Sequence, residues 1–333
     1  MRCGSQARLR WREAPRASAR QALLALLVVV ACTFPRADTL PIIHQQRYAM
    51  GTMFDVIVYH PSRPDAERAI EQALDEIVRL DQVMSHYRAD SNLSKLHREG
   101  GSGFVAVEPS LYAVIEESIW FSRQSGGAFD VTIAPLLRKW KAAHAEGRDL
   151  SQGEISDARQ CVGYDKIETS APDRVRFRST CVELDLGGIG KGYAVDRAIA
   201  ILKSADIRSA LVNAGGSSIT SIGAPPGSSG WPVAVGAGKV LRLRDTSMST
   251  SQQNGEILDP RTGSAAKATM AVSVVTRSGT AADALSTTLL IVSKEEGVKL
   301  LDRFPDAAAL WLSPEGKVHA AYGESRLHLS DSR

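Results

Sequence analysis

The stretch Val182-Glu183-Leu184-Asp185-Leu186-Gly187-Gly188-Ile189-Gly190-Lys191-Gly192-Tyr193-Ala194-Val195-Asp196 indicates how this chain is organised. Its first five residues alternate between apolar and acidic side chains, which predicts a short strand. Four glycines and a lysine follow, and apolar residues then recur at helical spacing through Ala198, Ile199 and Leu202. The pattern predicts a strand that leads through a glycine-rich turn into a helix.

A glycine-rich turn that opens a helix is a candidate binding site for phosphate groups. Its backbone N–H groups and the helix N-terminus favour anions, and Lys191 adds a positive charge. The stretch matches neither common nucleotide motif, because Gly192 stands where a Ser or Thr is required and the glycines do not follow the G-x-G-x-x-G spacing. A tight strand-to-helix connection without a ligand is the alternative interpretation.

Residues 1–31 are typical of an export signal. They combine six arginines and one glutamate with an apolar run over residues 22–31. A run of about 10 residues is short for a membrane span but matches the core of a signal peptide. We expect cleavage before Cys32, because Val29-Val30-Ala31-Cys32 resembles the lipobox of bacterial lipoproteins, and cleavage after Ala37 is the alternative. The mature protein is then expected to be exported and lipid-anchored at Cys32, facing the periplasm or the cell exterior.

Removal of this signal changes the charge of the protein. The full chain carries +3 and residues 1–31 contribute +5, which leaves −2 on the remainder. Because the remainder has no run of Lys or Arg, a nucleic-acid partner is not expected. Besides Cys32 it contains Cys161 and Cys181, which are a candidate disulfide in an exported protein. Two unpaired apolar thiols are the alternative.

The rest of the chain predicts an α+β fold with largely antiparallel sheets packed by amphipathic helices. One amphipathic helix begins at Pro64, and a second runs from Pro109 to the Gly126-Gly127 pair. Strands are predicted at residues 210–212, 233–235, 240–243, 270–276, 308–312 and 317–321. Only three helical stretches follow residue 190, so helices and strands do not alternate as a doubly wound parallel sheet requires.

The segment from Asp283 to Thr287 carries a candidate metal site. Its carboxylate and hydroxyl are four residues apart, hence on one face of a helix. Such hard oxygen ligands suit Mg²⁺, which keeps waters and substrate phosphates in its coordination shell. The alternative is a capping box in which Thr280 is the N-cap and Asp283 lies three residues later.

The order of the motifs along the chain is more specific than any one of them. The motifs are Met50-Gly51-Thr52, Ser85-x-Tyr87-Arg88-x-Asp90-Ser91, Gly126-Gly127-Ala128-Phe129-Asp130-x-Thr132, residues 185–196, Asn213-x-Gly215-Gly216, Ser249-Thr250-Ser251, Asp259-Pro260-Arg261-Thr262-Gly263 and Ala282-Asp283-Ala284-Leu285-Ser286-Thr287. This order resembles the ApbE family, the bacterial FAD:protein FMN transferases. The resemblance covers residues 48–320 and implies an ApbE-like domain at residues 48–325 after a linker at residues 32–47.

The resemblance implies a Mg²⁺-dependent transfer with FAD as substrate. A threonine hydroxyl of a client flavoprotein, such as a subunit of an electron-transfer complex, would attack the FMN-side phosphorus, and AMP would leave. The residues implied to contact FAD are Met50, Tyr87, Ala128, Phe129, Asp130, Asp185, Lys191 and Leu258. The implied metal ligands are the side chains of Asp283 and Thr287 and the backbone carbonyl of Gly188.

Two positions depart from the family pattern. Glu256 stands where the family usually has a histidine that is a catalytic candidate, and Ser217 replaces an aspartate. We therefore consider Glu256, Asp259 and a bound water as alternative general bases for the acceptor proton. These departures keep two other functions open, an FAD pyrophosphatase and an FAD-binding lipoprotein without turnover.

Overall fold

A computed structural model describes residues 40–252, 257–266 and 271–331 of the chain. The expected signal peptide, with its alternative cleavage sites at Cys32 and Ala37, lies outside these residues. None of the helices found in the described part has the length and apolar character that crossing a membrane requires.

The described residues form eight α-helices and fourteen strands. The helices are α1 (Arg63–Met84), α2 (Asn92–Glu99), α3 (Pro109–Gln124), α4 (Ala134–Ala145), α5 (Gln152–Arg159), α6 (Gly190–Ser204), α7 (Gly279–Ile291) and α8 (Lys294–Leu301). The strands are β1 (Ile42–Ala49), β2 (Thr52–Tyr59), β3 (Val105–Ala106), β4 (Ile167–Ser170), β5 (Arg174–Phe177), β6 (Ala210–Ala214), β7 (Ser218–Ile222), β8 (Trp231–Val235), β9 (Lys239–Leu243), β10 (Ser247–Gln252), β11 (Ala271–Thr276), β12 (Ala308–Leu312), β13 (Val318–Tyr322) and β14 (Leu329–Asp331).

One eight-stranded sheet lies at the centre of the fold. Its strand order is β1-β2-β6-β7-β10-β11-β12-β13, and every neighbouring pair is antiparallel. Helices α1, α6 and α7 pack side by side against one face. A three-stranded sheet, β14-β9-β8, packs through a separate apolar cluster that includes side chains of β7, β10 and β12. The predicted α+β class with antiparallel sheets is confirmed.

Helix α1 shows why the sequence folds this way locally. The Ser62 side chain accepts a hydrogen bond from the backbone N–H of Asp65, and Pro64 occupies the first turn, where no N–H is needed. One apolar stripe then faces the sheet, formed by Ala66, Ala69, Ile70, Ala73, Leu74, Ile77, Leu80 and Val83. Burial of such a stripe is the main source of helix stability in a folded protein.

Three sequence expectations need correction. Strand β1 begins at Ile42, so most of the expected linker at residues 32–47 that the structure describes belongs to the sheet. At the other end, β14 pairs with β9 beyond residue 325. The expected strand at residues 182–186 does not form, because the backbone N–H of Leu184 donates to His97 Nε2 and that of Asp185 to the carbonyl of Val131.

Cys161 and Cys181 are joined by a disulfide, with their Cα atoms 5.3 Å apart. The bond closes a loop that contains β4 and β5. It also ties the segment after α5 to the stretch that precedes the glycine-rich turn. The disulfide interpretation of the two cysteines is thus confirmed over the unpaired one.

Candidate active site

A cavity of about 680 Å³ opens beside the glycine-rich turn that precedes α6. This volume lies within the range of pockets that hold cofactors and other small ligands, about 300–1,000 Å³. Its walls come from the β1–β2 turn, the ends of α1 and β10, the segment that joins α3 to α4, one face of α4, the glycine-rich turn with the start of α6, and one face of α7. Segments that are far apart in sequence therefore meet at a single site.

The cavity brings together every residue predicted to contact FAD or the metal. The lining includes Met50, Tyr87, Ala128, Phe129, Asp130, Asp185, Gly188, Lys191, Leu258, Asp283 and Thr287. Of the two candidate bases, Glu256 lies outside the described residues, and Asp259 is not among the described residues that line the cavity. Their individual roles in binding or catalysis stay predictions.

The glycine-rich turn owes its sequence to the close approach of α6 and α7. A Cβ atom on Gly192 would overlap the Gly279 carbonyl oxygen and the Cβ of Asp283. Because Gly192 has no side chain, its backbone N–H reaches Asp283 Oδ2 at 2.9 Å. Asp196, one turn later on α6, accepts hydrogen bonds from the N–H groups of Gly279 and Thr280, the first residues of α7. The two helices are therefore fixed against each other at the cavity.

Asp283 is a buried carboxylate that faces the cavity, with only 3% of its surface exposed. Gly192 N–H donates to one oxygen, and Ser249 Oγ donates to the other at 3.1 Å. Burial raises the pKa of the carboxyl, while the charge of Lys191 and these two hydrogen bonds oppose that rise. Asp283 forms no salt bridge within the part of the chain that the structure describes.

This arrangement also settles the alternative interpretation of the segment. The N-cap of α7 is Ser278, whose side chain accepts from the N–H of Ala281. Thr280 is already inside the helix, so a capping box formed by Thr280 and Asp283 is wrong. The carboxylate of Asp283 points to another helix and to the cavity, which leaves it available to a ligand.

The donors around Asp283 fit a hard divalent cation. Thr287 lies one turn further along α7, and a Cβ placed on Gly188 would lie 3.2 Å from Thr287 Oγ1. The Gly188 backbone, the Thr287 hydroxyl and the Asp283 carboxylate therefore line one corner of the cavity, and all three offer oxygen. Mg²⁺ prefers such ligands and takes few of them from the protein. No group of three His, Cys, Asp or Glu side chains suited to a metal occurs among the described residues, and a Mg²⁺ site of this kind does not need one.

A second part of the cavity wall depends on turns. Asp130 Oδ1 accepts from the N–H and hydroxyl of Thr132 at 2.9 and 2.7 Å, and its Oδ2 accepts from the N–H of Tyr164 at 2.8 Å. Burial raises the pKa of the Asp130 carboxyl, and these hydrogen bonds act against it. Asp130 thus holds the segment after Cys161 in place while it lines the cavity.

Aromatic and apolar side chains complete this wall. Phe129 is buried beside the ring of Phe121, with the ring centroids 6.3 Å apart. Tyr87 is 83% exposed where it lines the cavity, and its ring contacts that of His86 at a tilt of 41°. Met50 has a left-handed backbone with φ of +48° at the tip of the β1–β2 hairpin. A long side chain in this conformation is uncommon, and such outliers occur often at functional sites.

Asp259 forms a local ion pair. Its carboxylate accepts from the backbone N–H of Arg261 and from the Nε and Nη2 of the same guanidinium at 2.9–3.2 Å. These bonds close the turn that follows Leu258, which is buried against Leu136. With its oxygens held by Arg261, Asp259 is poorly placed to accept a proton at the cavity.

The sequence interpretation missed several residues of the site. Lys141 of α4 lines the cavity, but nothing in the sequence around it suggests a ligand contact. Ser249 and Ser251 belong to a motif that we noted, yet their contacts with α7 depend on the pairing of distant segments. Alternation of serines along the strand indicates only that the two side chains share a face, since residues two apart lie on the same side, and it does not identify α7 as their partner.

Most of this chain is similar to proteins of known name. An FAD:protein FMN transferase of Treponema pallidum (strain Nichols) is 32% identical over 323 residues, which cover 85% of this chain and 88% of that protein. A Vibrio cholerae protein of the same name is 26% identical and covers 84% of this chain and 89% of its own length. The apo crystal structure of Pseudomonas stutzeri flavinyl transferase ApbE matches with a TM-score of 0.74 at 27% identity, over 85% of this chain and 94% of that one.

A family-level comparison covers most of the chain. The sequence model of the ApbE family matches residues 50–311, a range that contains every residue predicted to line the site. The motifs named from the sequence, the first at Met50 and the last ending at Thr287, also lie within this range. The chain therefore belongs to the ApbE family.

Proposed function

We propose that this protein is an FAD:protein FMN transferase that moves FMN from FAD to a threonine hydroxyl of a client flavoprotein. The relatives named above carry the transferase name, and the alignments cover most of both chains. The observation that carries the proposal is the cavity itself. It gathers residues that the family resemblance assigned to flavin binding and residues that it assigned to metal binding, which come from segments up to 237 residues apart (Met50 to Thr287).

The reaction asks mainly for positioning and neutralisation of charge. The acceptor oxygen forms a bond to the FMN-side phosphorus of FAD, the bond from that phosphorus to the bridging oxygen breaks, and AMP leaves with the bridging oxygen. Phosphoryl-type transfer of this kind needs little covalent help from the protein. Lys191, at the first turn of α6, brings a positive charge to the cavity, and its Nζ lies 3.4 Å from the Gly187 carbonyl oxygen.

Asp283, Thr287 and the carbonyl of Gly188 would hold Mg²⁺. When bound, the ion supplies Lewis-acid stabilisation of the charge that develops on the phosphate oxygens. The protein's part is to present a buried carboxylate whose two oxygens are oriented by Gly192 and Ser249. Orientation by neutral donors keeps the negative charge of Asp283 available to the cation.

The acceptor proton needs a base, and Glu256 is the candidate that remains after Asp259 is engaged by Arg261. Phosphate groups nearby would raise the pKa of a carboxylate, which improves it as a base near neutral pH. The Glu256→Gln variant is expected to reduce transfer by about 10²-fold. An unchanged rate would assign the proton to bound water.

We propose that the enzyme works outside the cytoplasm, as a lipoprotein anchored at Cys32 and facing the periplasm or cell exterior. The sequence of residues 1–31 supports this location. The disulfide between Cys161 and Cys181 is consistent with an oxidising compartment. The client would then be an exported flavoprotein, such as a subunit of an electron-transfer complex.

Glu256 is also the reason to keep a second reaction in view. If water replaced the threonine hydroxyl, the same site would hydrolyse FAD to FMN and AMP. A protein that bound FAD without turnover would be the remaining alternative. Glu256 replaces the histidine usual in the family, which favours these alternatives over transfer only if a carboxylate fails as the base.

Incubation of the purified mature protein with FAD, Mg²⁺ and a threonine-acceptor flavoprotein domain tests the proposal. We expect intact-mass analysis to show an acceptor heavier by one FMN, with AMP among the released nucleotides. An unmodified acceptor together with free FMN and AMP would identify a pyrophosphatase. Recovery of intact FAD bound to the protein, with two unrelated acceptors, would contradict catalysis.

A further inference from the structure

The two candidate metal ligands on α7 face a single strand. Asp283 and Thr287 are four residues apart on the helix, which corresponds to about 6 Å of rise. Ser249 and Ser251 are two residues apart on β10, a rise of about 6.8 Å. Ser249 Oγ lies 3.1 Å from Asp283 Oδ1, and Ser251 Oγ lies 3.2 Å from Thr287 Oγ1. The serine spacing on the strand therefore matches the ligand spacing on the helix.

The proton of Ser249 has one favoured acceptor. Its Oγ lies near both Asp283 Oδ1 and the carbonyl of Ser217, at 3.1 and 2.9 Å. The Ser217 carbonyl already accepts from the N–H of Thr250 at 2.7 Å, and a carboxylate is the stronger acceptor. Ser249 therefore donates to Asp283, while Ser218 Oγ, 3.2 Å away, donates to Ser249. Both serines are fully buried, so water does not compete for these bonds.

A second chain of hydroxyl groups orients Thr287. Ser286 Oγ donates to the carbonyl of Asp283 at 3.0 Å, which leaves its oxygen free to accept from Ser251 Oγ at 2.8 Å. Ser251 in turn accepts the proton of Thr287 at 3.2 Å. A hydroxyl that binds a cation through its oxygen must give its proton to another acceptor. This direction of the chain turns the lone pairs of Thr287 toward the cavity.

We propose that Ser249 and Ser251 are positioning residues for the cation site, Ser249 through Asp283 and Ser251 through Thr287. This inference rests on the proposed function, because it concerns the metal of the same site. Strand β10 fixes the direction and spacing of two ligands that one helix carries. Residues that orient metal ligands typically contribute about 10–100-fold to metal affinity.

The test measures cation binding directly. Mn²⁺ is titrated into the FAD-saturated full mature protein and free Mn²⁺ is followed by electron paramagnetic resonance. We expect Ser249→Ala and Ser251→Ala each to weaken Mn²⁺ binding about tenfold. Ser251→Thr, which keeps the hydroxyl, should restore most of the affinity. FAD affinity in chelator and the thermal transition of each variant serve to separate positioning from loss of the fold.

Ser247→Ala is the matched control. Ser247 is buried on the same face of β10, two residues before Ser249, and it bonds to Thr220 and to the Arg277 carbonyl. This variant should bind Mn²⁺ like the wild type. In transfer assays, Ser249→Ala and Ser251→Ala should raise the KM for Mg²⁺ about tenfold and keep most of kcat at saturating Mg²⁺.

The outcomes separate this inference from the proposed function. Wild-type affinity in both alanine variants, or an equal loss in Ser247→Ala, would overturn the positioning role. A wild-type protein that binds no Mn²⁺ with FAD present would also overturn it, whatever its activity. A wild-type protein that binds Mn²⁺ but transfers no flavin would contradict the proposed function, and the comparison of the variants would still decide the inference.

Discussion

The two walls of the cavity are built in different ways. The metal wall, formed by Gly188, Asp283 and Thr287, contains one buried carboxylate and depends on hydrogen bonds between segments that are 34 to 91 residues apart. The flavin wall, which includes Met50 and Asp130, depends on short turns, and the hydrogen bond from the Tyr164 N–H to Asp130 ties these turns to a distant loop. One wall is fixed by the packing of helix on helix and helix on strand, and the other by turns and by hydrogen bonds between loops.

This difference suggests what each wall contributes. A buried carboxylate with fixed donors is costly to assemble, and it repays that cost only when a cation binds. Contacts from turns, such as that of Met50, cost less and adapt more easily to a large, two-part ligand. Changes on the metal wall should therefore affect chemistry strongly, whereas changes on the flavin wall should affect binding and stability more gradually.

The largest effect is expected at Asp283. Asp283→Asn keeps the shape of the side chain and an oxygen for the N–H of Gly192, but it removes the charge that holds the cation. Transfer should fall by about 10³-fold, which corresponds to about 4 kcal/mol of transition-state stabilisation. Steady-state assays of acceptor flavinylation over a range of Mg²⁺ concentrations measure this loss.

Asp196→Asn is the matched change for Asp283→Asn, because Asp196 lies on the neighbouring helix and accepts from Gly279 and Thr280 without lining the cavity. Its effect on activity should be at least tenfold smaller than that of Asp283→Asn. Equal losses in the two variants would mean that the helix contact, and not the ligand charge, dominates the metal wall.

The next largest effect concerns the frame of the flavin wall. The disulfide between Cys161 and Cys181 closes a loop of 20 residues, so its loss should lower the free energy of unfolding by about 3 kcal/mol. Chemical denaturation of the Cys161→Ser/Cys181→Ser double variant, with the wild type under oxidising conditions as reference, measures the change. Tyr164, which donates to Asp130, and Asp185, which lines the cavity, both lie close to the bridge in sequence. FAD affinity should therefore fall as well.

The metal wall should be less affected by loss of the disulfide. Mn²⁺ binding by the FAD-saturated double variant is expected to stay within about threefold of the wild type, a difference under 1 kcal/mol. A loss of Mn²⁺ affinity as large as that of FAD affinity would show that the two walls are not independent.

The sequence predicted the two walls unequally. Hydrophobic periodicity located α1, α3 and β12, since burial of one face leaves a local record in the chain. It failed at residues 182–186, where the apolar side chains are buried as expected but the N–H groups bond to a histidine and a loop carbonyl. Alternation reports burial, and it does not report which group accepts the backbone hydrogen bonds.

The site shows the same limit in a different form. The motif order, through the family resemblance, supplied the eleven lining residues, but no local pattern showed that Ser249 and Ser251 would meet α7. These contacts depend on the place of β10 between β7 and β11 in the sheet, and on the position of α7, which α6 contacts at Gly192. Information of this kind is spread over distant segments, so local reasoning does not recover it.

A pH effect on stability should arise at residues 182–186, which lead into the glycine-rich turn. Burial lowers the pKa of His97 to about 4, and its neutral Nε2 accepts from the N–H of Leu184 at 2.9 Å. Since the unfolded chain binds this proton more readily, the contribution of His97 to stability is complete above pH 6.5 and is lost as the pH falls toward 4. The free energy of unfolding should drop by about 1.4 kcal/mol per pH unit in that window.

Denaturation of the wild type and of His97→Gln at several pH values isolates this contribution. Glutamine retains an acceptor for Leu184 and does not titrate, so the difference between the two proteins should shrink as the pH falls. His144→Gln, at an exposed position of α4, should leave the profile unchanged. A constant difference from pH 7 to pH 4 would show that protonation of His97 does not govern this stretch.

The smallest effect is expected at Met50, where the flavin wall holds local strain. A two-residue hairpin turn with positive φ at both positions favours Asn or Gly, and here φ is +48° at Met50 and +75° at Gly51. Met50→Asn should raise the free energy of unfolding by about 1 kcal/mol, because asparagine tolerates the left-handed conformation. If the Met50 side chain contacts FAD as predicted, the same change should weaken FAD binding.

Asp206→Gly relieves a similar conformation, φ +58°, just after the end of α6, and it should stabilise the protein without any change in FAD affinity. Fluorescence titration of FAD set against denaturation of both variants decides the point, since a Met50→Asn protein that is more stable and binds FAD as tightly as the wild type would remove Met50 from the flavin wall.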